Sequence, residues 1–226
     1  MTTYNGQFGS LEGKVALITG SGGGIGKGIA IELGQRGALV VVNYANNSKG
    51  ADEVVREIEA AGSKAIAVQA NVTKIPDITR FFQAAIDKFG KLDIVVSNSG
   101  TESFKPEDQV TEEDYDQVFA LNTKAQFFVA QHAYSTLERG GRIILMSSVA
   151  AKASGIPNHA LYAGSKAAVE GFTRSFSTDC GHKRITVNAI APGGVKSAMF
   201  DKNAWHYAPG GDPSARNLFL IPALPS

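Results

Sequence analysis

Apolar residues along this chain gather in short blocks separated by polar, glycine-containing turns: 15–19 (VALIT), 38–43 (ALVVVN), 64–70 (KAIAVQA), 92–97 (LDIVVS), 141–147 (GRIILMS) and 184–191 (RITVNAIA). Blocks of this length, rich in β-branched residues, predict six strands. Between them lie stretches of helix length, roughly 25–36, 49–61, 75–89, 111–137 and 159–181. In the third, Ile78, Phe81, Phe82, Ala85, Ile86 and Phe89 recur at helical spacing and mark a stripe that faces a core. Strand and helix alternating this regularly, with strands apolar on both faces, predict an α/β chain: a doubly wound parallel sheet covered by helices on each side. Such sheets bind ligands beyond the carboxyl ends of their strands, near the point where strand order reverses. The strand ends are therefore where functional residues are sought.

A length of 226 residues fits one domain with a substantial core. Lys and Arg together number 22 against 21 for Asp and Glu, so the chain has no basic field of the kind that draws nucleic acid or an anionic membrane. The expected partner is a small molecule. No apolar run approaches the roughly eighteen residues of a membrane span. Cys180 is the single cysteine, and the first ten residues, MTTYNGQFGS, have neither a basic region nor an apolar one. Both features predict a reducing, cytoplasmic setting.

The first strand runs straight into Thr19–Ala30, TGSGGGIGKGIA. Glycines let a backbone turn tightly and approach a pyrophosphate, whose charge is favoured by the unpaired N–H groups at the following helix start. A glycine cluster alone is equally an ordinary loop; between strand and helix it points to a dinucleotide, with Gly20, Gly24, Ile25 and Gly26 as contacts. Sheets that choose NAD place an acid at the end of the second strand. Here that end reads VVVNYANNSKG, with Asn43 leading a run of amides and a hydroxyl and no acid before Asp52. A 2'-phosphate is not repelled there, so NADP (NADPH) is expected ahead of NAD; the alternative is that these are polar turn residues. No Lys or Arg lies within the glycine turn up to Ile25, the nearest bases being Lys27 and Lys49.

Ser148, Tyr162 and Lys166 form the second constellation, the serine and tyrosine fourteen residues apart and the lysine four further on. On a helix, Tyr162 and Lys166 share a face. A free phenol titrates near 10, and a neighbouring ammonium and a cationic nicotinamide favour the phenolate. Ser148, at the end of the fifth strand, can hydrogen-bond a substrate carbonyl oxygen at the same point. A Tyr and Lys four apart are by themselves commonly a solvated pair; it is the convergence with Ser148 and the glycine turn that points to catalysis.

The motif series TGSGGGIG, NSG at 98–100, Asn122 in ALNTKAQF, Ser148, YAGSK and APGG at 191–194 resembles, in order, that of the short-chain dehydrogenase/reductase family. VNYANNS, FGKLDIVVSNSG, FFVA and GGRIILMSS are more specifically similar to fungal hydroxynaphthalene reductases, versicolorin reductases and related 17β-hydroxysteroid dehydrogenases. The resemblance covers about residues 10–208 and implies a Rossmann sheet. It implies that Tyr162 is the general acid in reduction, that Lys166 lowers its pKa and contacts the ribose, that Ser148 polarises the carbonyl, and that Asn122 interrupts its helix and holds a water of a proton relay. Ser147 also precedes the tyrosine; Ser148 has the spacing of the closer relatives. Asn71 takes the place of an adenine-contacting aspartate, Asn98 and Gly100 line the nucleotide, and 192–195 with Ser197 wrap the nicotinamide, Val195 and Ser197 being contacts.

His132, His159, His182 and His206 lack metal-ligand spacing and are expected as surface or capping residues, so no metal is expected. Met199, Phe200, Trp205 and Tyr207 form either an apolar lid over a flat substrate or ordinary packing. The domain is expected over 1–211, followed by a divergent tail, 212–226. The family's seventh strand and last helix are not matched by that tail, in which Pro222 and Pro225 oppose a strand and Leu218–Ile221 offer some apolar cover. The family implies a homotetramer, and the unmatched tail predicts impaired assembly, stability and turnover. The expected activity is NADPH-dependent reduction of a ketone on a polycyclic, polyphenolic or terpenoid molecule in secondary metabolite biosynthesis; the alternative is a catalytically weak paralogue that only binds nucleotide.

Overall fold

The computed structural model describes residues 9–152 and 156–207; the tail expectations fall outside them. Six strands form one sheet: β1 (Val15–Ile18), β2 (Leu39–Tyr44), β3 (Ala65–Gln69), β4 (Ile94–Ser97), β5 (Arg142–Met146) and β6 (Thr186–Ile190). Their order is β3-β2-β1-β4-β5-β6, and every adjacent pair is parallel. Each strand was expected from its apolar block. Parallel neighbours need crossovers, which the helices supply: α1 (Gly24–Gln35), α2 (Ser48–Ala60), α3 (Ile75–Phe89), α4 (Glu112–Phe119), α5 (Ala125–Thr136) and α6 (Ala160–Asp179). A short α7 (Ala198–Asn203) follows β6.

Alternation along β1 builds the two faces of the core. Val15 and Leu17 pack in one cluster with Ile78, Phe81, Phe82 and Ala85 of α3 and Val129 of α5. Ala16 and Ile18 point the other way, into a cluster with Ala30 of α1 and Ala51, Val54 and Ile58 of α2. Successive strand side chains alternate in direction, so a strand covered on both faces is apolar along its length, as β1 is throughout and β4 is up to buried Ser97. The expected stripe on α3 lies against the first cluster, Ile86 and Phe89 being partly buried at its edge.

Local signals set the helix ends. The Asn47 side chain accepts the Gly50 N–H at the start of α2. Thr111 and Asp114 form a reciprocal capping box on α4. Gly90 closes α3 in a left-handed conformation, φ 76°. The helix-length stretch 111–137 is interrupted at Asn122, as the resemblance implies. A π-turn over Ala120–Lys124 separates α4 from α5, with Asn122 and Thr123 on its buried side.

Candidate active site

Strand order reverses between β1 and β4, and a cavity of about 990 Å³ lies across their carboxyl ends. At one end it is walled by Gly20, Gly23, Gly24 and Ile25, where β1 turns into α1. Gly20 (φ 62°) and Gly24 (φ 54°) lie in the left-handed region that favours glycine. A Cβ on Gly20 would stand 2.8 Å from Ser99 Oγ. No side chain caps the N-terminus of α1 at Gly23, which leaves its first-turn N–H donors for a ligand. A turn stripped of side chains beside uncapped amides fits a pyrophosphate. Gly26 differs from the expected contact: it does not line the cavity, and a Cβ there would come 2.5 Å from both Asn98 Nδ2 and the Gly20 carbonyl. Its role is to let α1 pack against the ends of β1 and β4.

Two side chains that the sequence did not single out hold this turn. Buried Thr19 accepts the N–H groups of Asn98 (2.8 Å) and Ser99 (2.9 Å) on its hydroxyl. Asn98 Nδ2 donates back to the Thr19 and Gly20 carbonyls at 3.0 and 3.2 Å. Buried Ser21 donates to the Ile18 carbonyl and accepts the Asn43 N–H, both at 2.9 Å. Their signal in the sequence was only position, at the end of an apolar block.

Asn43 requires a correction. It lies on the cavity wall but is 2% exposed. Its Oδ1 accepts the Gly20 N–H (2.9 Å), and its Nδ2 donates to the carbonyls of Ala70 (3.0 Å), Tyr44 and Val68 (both 3.3 Å). The amide ties three strand ends together and is not directed at a phosphate. Ala45 and exposed Asn46 carry the wall outward from there, and Asn71 lines it opposite, its Oδ1 accepting from Thr73 N (3.1 Å) and Oγ1 (2.8 Å).

The other half gathers the expected catalytic residues. Ser148 and Tyr162 both line the cavity, and the Ser148 hydroxyl acts on the phenol to lower its pKa. That hydroxyl accepts the Ala150 N–H (3.2 Å). Ser147 Oγ instead donates to the Lys166 carbonyl (3.2 Å) and towards Glu170 (3.4 Å). Of the two serines, Ser148 is the one turned to the tyrosine.

Lys166 and Asn122 stand behind the wall, not on it. The Lys166 ammonium is buried, donates to the Met146 carbonyl (2.8 Å) and lies 5.9 Å from the Tyr162 ring centre. Gly100 admits both neighbours: a Cβ there would lie 3.1 Å from Asn122 Oδ1 and 3.2 Å from Lys166 Nζ. Asn122 Oδ1 accepts the Thr101 N–H (2.8 Å), while Nδ2 donates to the Thr101 carbonyl (2.9 Å) and Ser165 Oγ (3.0 Å). Gln126, another residue the sequence did not single out, donates to the Met146 carbonyl (2.8 Å) and accepts its N–H (2.9 Å), and donates to the Asn122 carbonyl (3.1 Å).

Burial pushes the Tyr162 phenol above its ordinary value, opposed by the Ser148 side chain and reinforced by the charge of Glu102. Burial also pushes Lys166 down to about 8, against the attraction of Glu102. For both groups desolvation is the largest influence.

Beyond β6, Val195, Ser197, Met199 and Phe200 complete the wall. Ser197 Oγ accepts the Phe200 N–H (3.1 Å) at the start of α7, and a Cβ on Gly24 would lie 3.7 Å from Ser197 Cβ, so the two halves of the cleft approach one another there. Trp205 stacks on His206 with ring centres 3.5 Å apart; the side chain of Tyr207 lies outside the described residues. His159 is buried and takes the N-cap position of α6, its side chain making no cap hydrogen bond. It stacks on Phe104 (4.2 Å), which carries His206 on a second contact (4.0 Å), and is tilted against Tyr162 at 4.6 Å. Burial pushes His159 and His206 below the usual histidine value. Among the described residues no group of three or more His, Cys, Asp or Glu gathers, and no helix is long and apolar enough to cross a membrane.

The sequence profile of the short chain dehydrogenase family matches residues 14–207. The chain belongs to that family. Members similar to it include hydroxynaphthalene reductase-like protein Arp2 of Metarhizium acridum, 74% identical over 204 residues that cover 90% of this chain and 76% of the relative. Tetrahydroxynaphthalene reductase PfmaG of Pestalotiopsis fici is 60% identical over 88% of this chain and 72% of its own. Among solved structures, a short chain dehydrogenase from Burkholderia cenocepacia in complex with NADP superposes with a TM-score of 0.82 at 37% identity, over 84% of this chain and 77% of that one. As a member of the short chain dehydrogenase family, the protein is an oxidoreductase with a Rossmann sheet.

Proposed function

We propose that this chain reduces a ketone on a hydroxylated polycyclic or polyphenolic small molecule, using NADPH, in secondary metabolite biosynthesis. The observation that carries the chemistry is the meeting of Ser148 and Tyr162 on one cavity wall, with Lys166 and Asn122 packed behind it. The ring-system substrate rests on the names of the reductases to which the chain is similar, and NADPH on the acid-free end of β2 together with the NADP complex of the Burkholderia protein.

Gly20, Gly24, Ile25, Asn71, Asn98, Gly100, Val195 and Ser197 would hold the nucleotide; all eight line the cavity. Bound NADPH would supply the hydride. The protein supplies the rest. Tyr162 donates its phenolic proton to the carbonyl oxygen as negative charge develops there, and the Ser148 hydroxyl donates to the same oxygen. The Lys166 ammonium stabilises the phenolate left behind. Met146 and Asn122 hold Lys166 and its surroundings in register, the one by its carbonyl and the other through Thr101 and Ser165.

The test is NADPH consumption, followed by absorbance, with hydroxylated tetralones as probe ketones. Tyr162→Phe is expected to lower turnover by roughly 10²–10⁴, the range of a general acid, with nucleotide binding kept. A Phe variant as active as the parent would overturn the assignment.

A further inference from the structure

Among the described residues that line the main cavity, Glu102 is the one carboxylate and none is Lys, Arg or His. Leu121, Val149, Ile156, Met199 and Phe200 give the same cavity an apolar lining. Glu102 also borders a smaller cavity of about 480 Å³, beside Phe104, Lys202, Asn203 and His206, so it stands where the two spaces meet.

Its position is built. The preceding residue, Thr101, has both its N–H and its carbonyl held by the Asn122 amide, at 2.8 and 2.9 Å. Glu102 Oε2 accepts the Asn203 amide of α7 at 2.6 Å. The carboxylate is thus fixed relative to the π-turn that packs against the Tyr162 helix, and its charge is felt at Tyr162 and at Lys166. A carboxylate only accepts hydrogen bonds, and its two oxygens together offer about four acceptor positions. An apolar ring edge laid against it would strip its water and return nothing, and an anionic ligand would be repelled. Of the groups a ring system carries, a hydroxyl is the one that donates to a carboxylate.

We propose that Glu102 is a specificity-determining residue, accepting a hydrogen bond from a phenolic or enolic hydroxyl of the ring system whose ketone lies against Tyr162 and Ser148. This deepens the ketone-reduction reading and rests on it. The contact selects hydroxylated polycyclic ketones over bare ones of the same shape.

The test is equilibrium binding to the full chain with NADP⁺ present, by calorimetry, of α-tetralone and its monohydroxylated isomers. In the parent protein at least one isomer is expected to bind roughly tenfold or more tighter than α-tetralone, the size of a hydrogen bond to a charged group. Glu102→Leu is expected to abolish that preference while α-tetralone still binds. Glu102→Gln, which keeps the shape and serves if the leucine variant does not fold, is expected to cut the preference severalfold. Asn203→Leu, which removes the tie to α7 and keeps the carboxylate, is expected to retain it. A preference that survives Glu102→Leu, one that is undiminished in Glu102→Gln, one that is lost in Asn203→Leu, or none in the parent overturns the role of Glu102 and leaves ketone reduction standing. If no tetralone binds or is reduced while NADPH binds, the ketone-reduction reading itself fails, and the inference with it.

Discussion

At Asn43 the side chain that the sequence offered as a phosphate donor is engaged with four backbone groups, its amide directed at carbonyls from β2 and from the end of β3. Asn43→Asp would replace that donor by an acceptor facing three carbonyls. Each buried group left unsatisfied costs about 1–3 kcal/mol, and in a domain of this size each kcal/mol lowers the melting temperature by roughly 2–4 °C. The expected outcome is a lower Tm and weaker binding of both NADPH and NADH. A shift toward NADH is expected instead from Asn46→Asp on the exposed wall. Thermal denaturation and nucleotide titration check both, and an Asn43→Asp protein of parental Tm would overturn the structural role. The residue was visible in the sequence as the end of the second strand, but its role depends on Val68 and Ala70, brought beside it by the register of β3. Lys166 was visible in the same way, and its titration was not, because burial is a property of the packed molecule. With its pKa near 8 in the folded state, against an ordinary value of 10.5, the unfolded chain binds the extra proton between those values, so stability rises with pH through that window. Activity runs the other way. On the proposed mechanism the ammonium is required, so kcat/KM for NADPH, which reports the free protein, should fall as pH rises through about 8. A profile flat to pH ~10 would remove Lys166 from the role.

Between β4 and β5 the chain makes the element that the hydrophobic pattern could not resolve. A π-turn adds one residue to a helix without ending its apolar stripe, so 111–137 reads as continuous although Ala120–Lys124 is wound differently. The extra residue puts Asn122 where it reaches Thr101 on one side and Ser165 on the other. Four residues on, Gln126 spans from α5 to the last residue of β5, and its Nε2 shares the Met146 carbonyl with the Lys166 ammonium. Gln126 is fully buried; a glutamine within a helix gives no sign of that in the sequence, whereas the glycine turn and the tyrosine–lysine pair have fixed local spacing. Gln126→Leu would leave the Met146 N–H without this partner and loosen the support of Lys166. It is expected to lower stability by about 1–3 kcal/mol, seen as a lower denaturant midpoint at unchanged slope, and to reduce turnover more than nucleotide affinity. An unchanged midpoint would show that the bridge carries no net stability.

For the molecule as a whole, the order β3-β2-β1-β4-β5-β6 divides the cavity wall between two halves that share only the β1–β4 pairing within the sheet. Gly20, Gly24 and Asn71 come from one half; Gly100, Ser148, Tyr162 and Ser197 come from the other. Alternating blocks predicted both halves, because a parallel sheet writes its strands as separate apolar runs. A ligand that spans the reversal contacts both halves, so it binds only when both are folded and stabilises them as one unit. For a ligand held by the folded state alone, a free concentration of 100 Kd adds about 2.7 kcal/mol, and at roughly 2–4 °C per kcal/mol that raises Tm by roughly 5–11 °C. NADPH at such a concentration is expected to shift a single unfolding transition by that amount. NADH at the same concentration should shift it less, since the end of β2 offers no acid to its ribose and no repulsion to a 2'-phosphate. Calorimetry of the full chain with each nucleotide checks this. Equal shifts would end the preference for NADPH, two separate transitions would show that the halves unfold independently, and no shift with either would remove the nucleotide from the cavity.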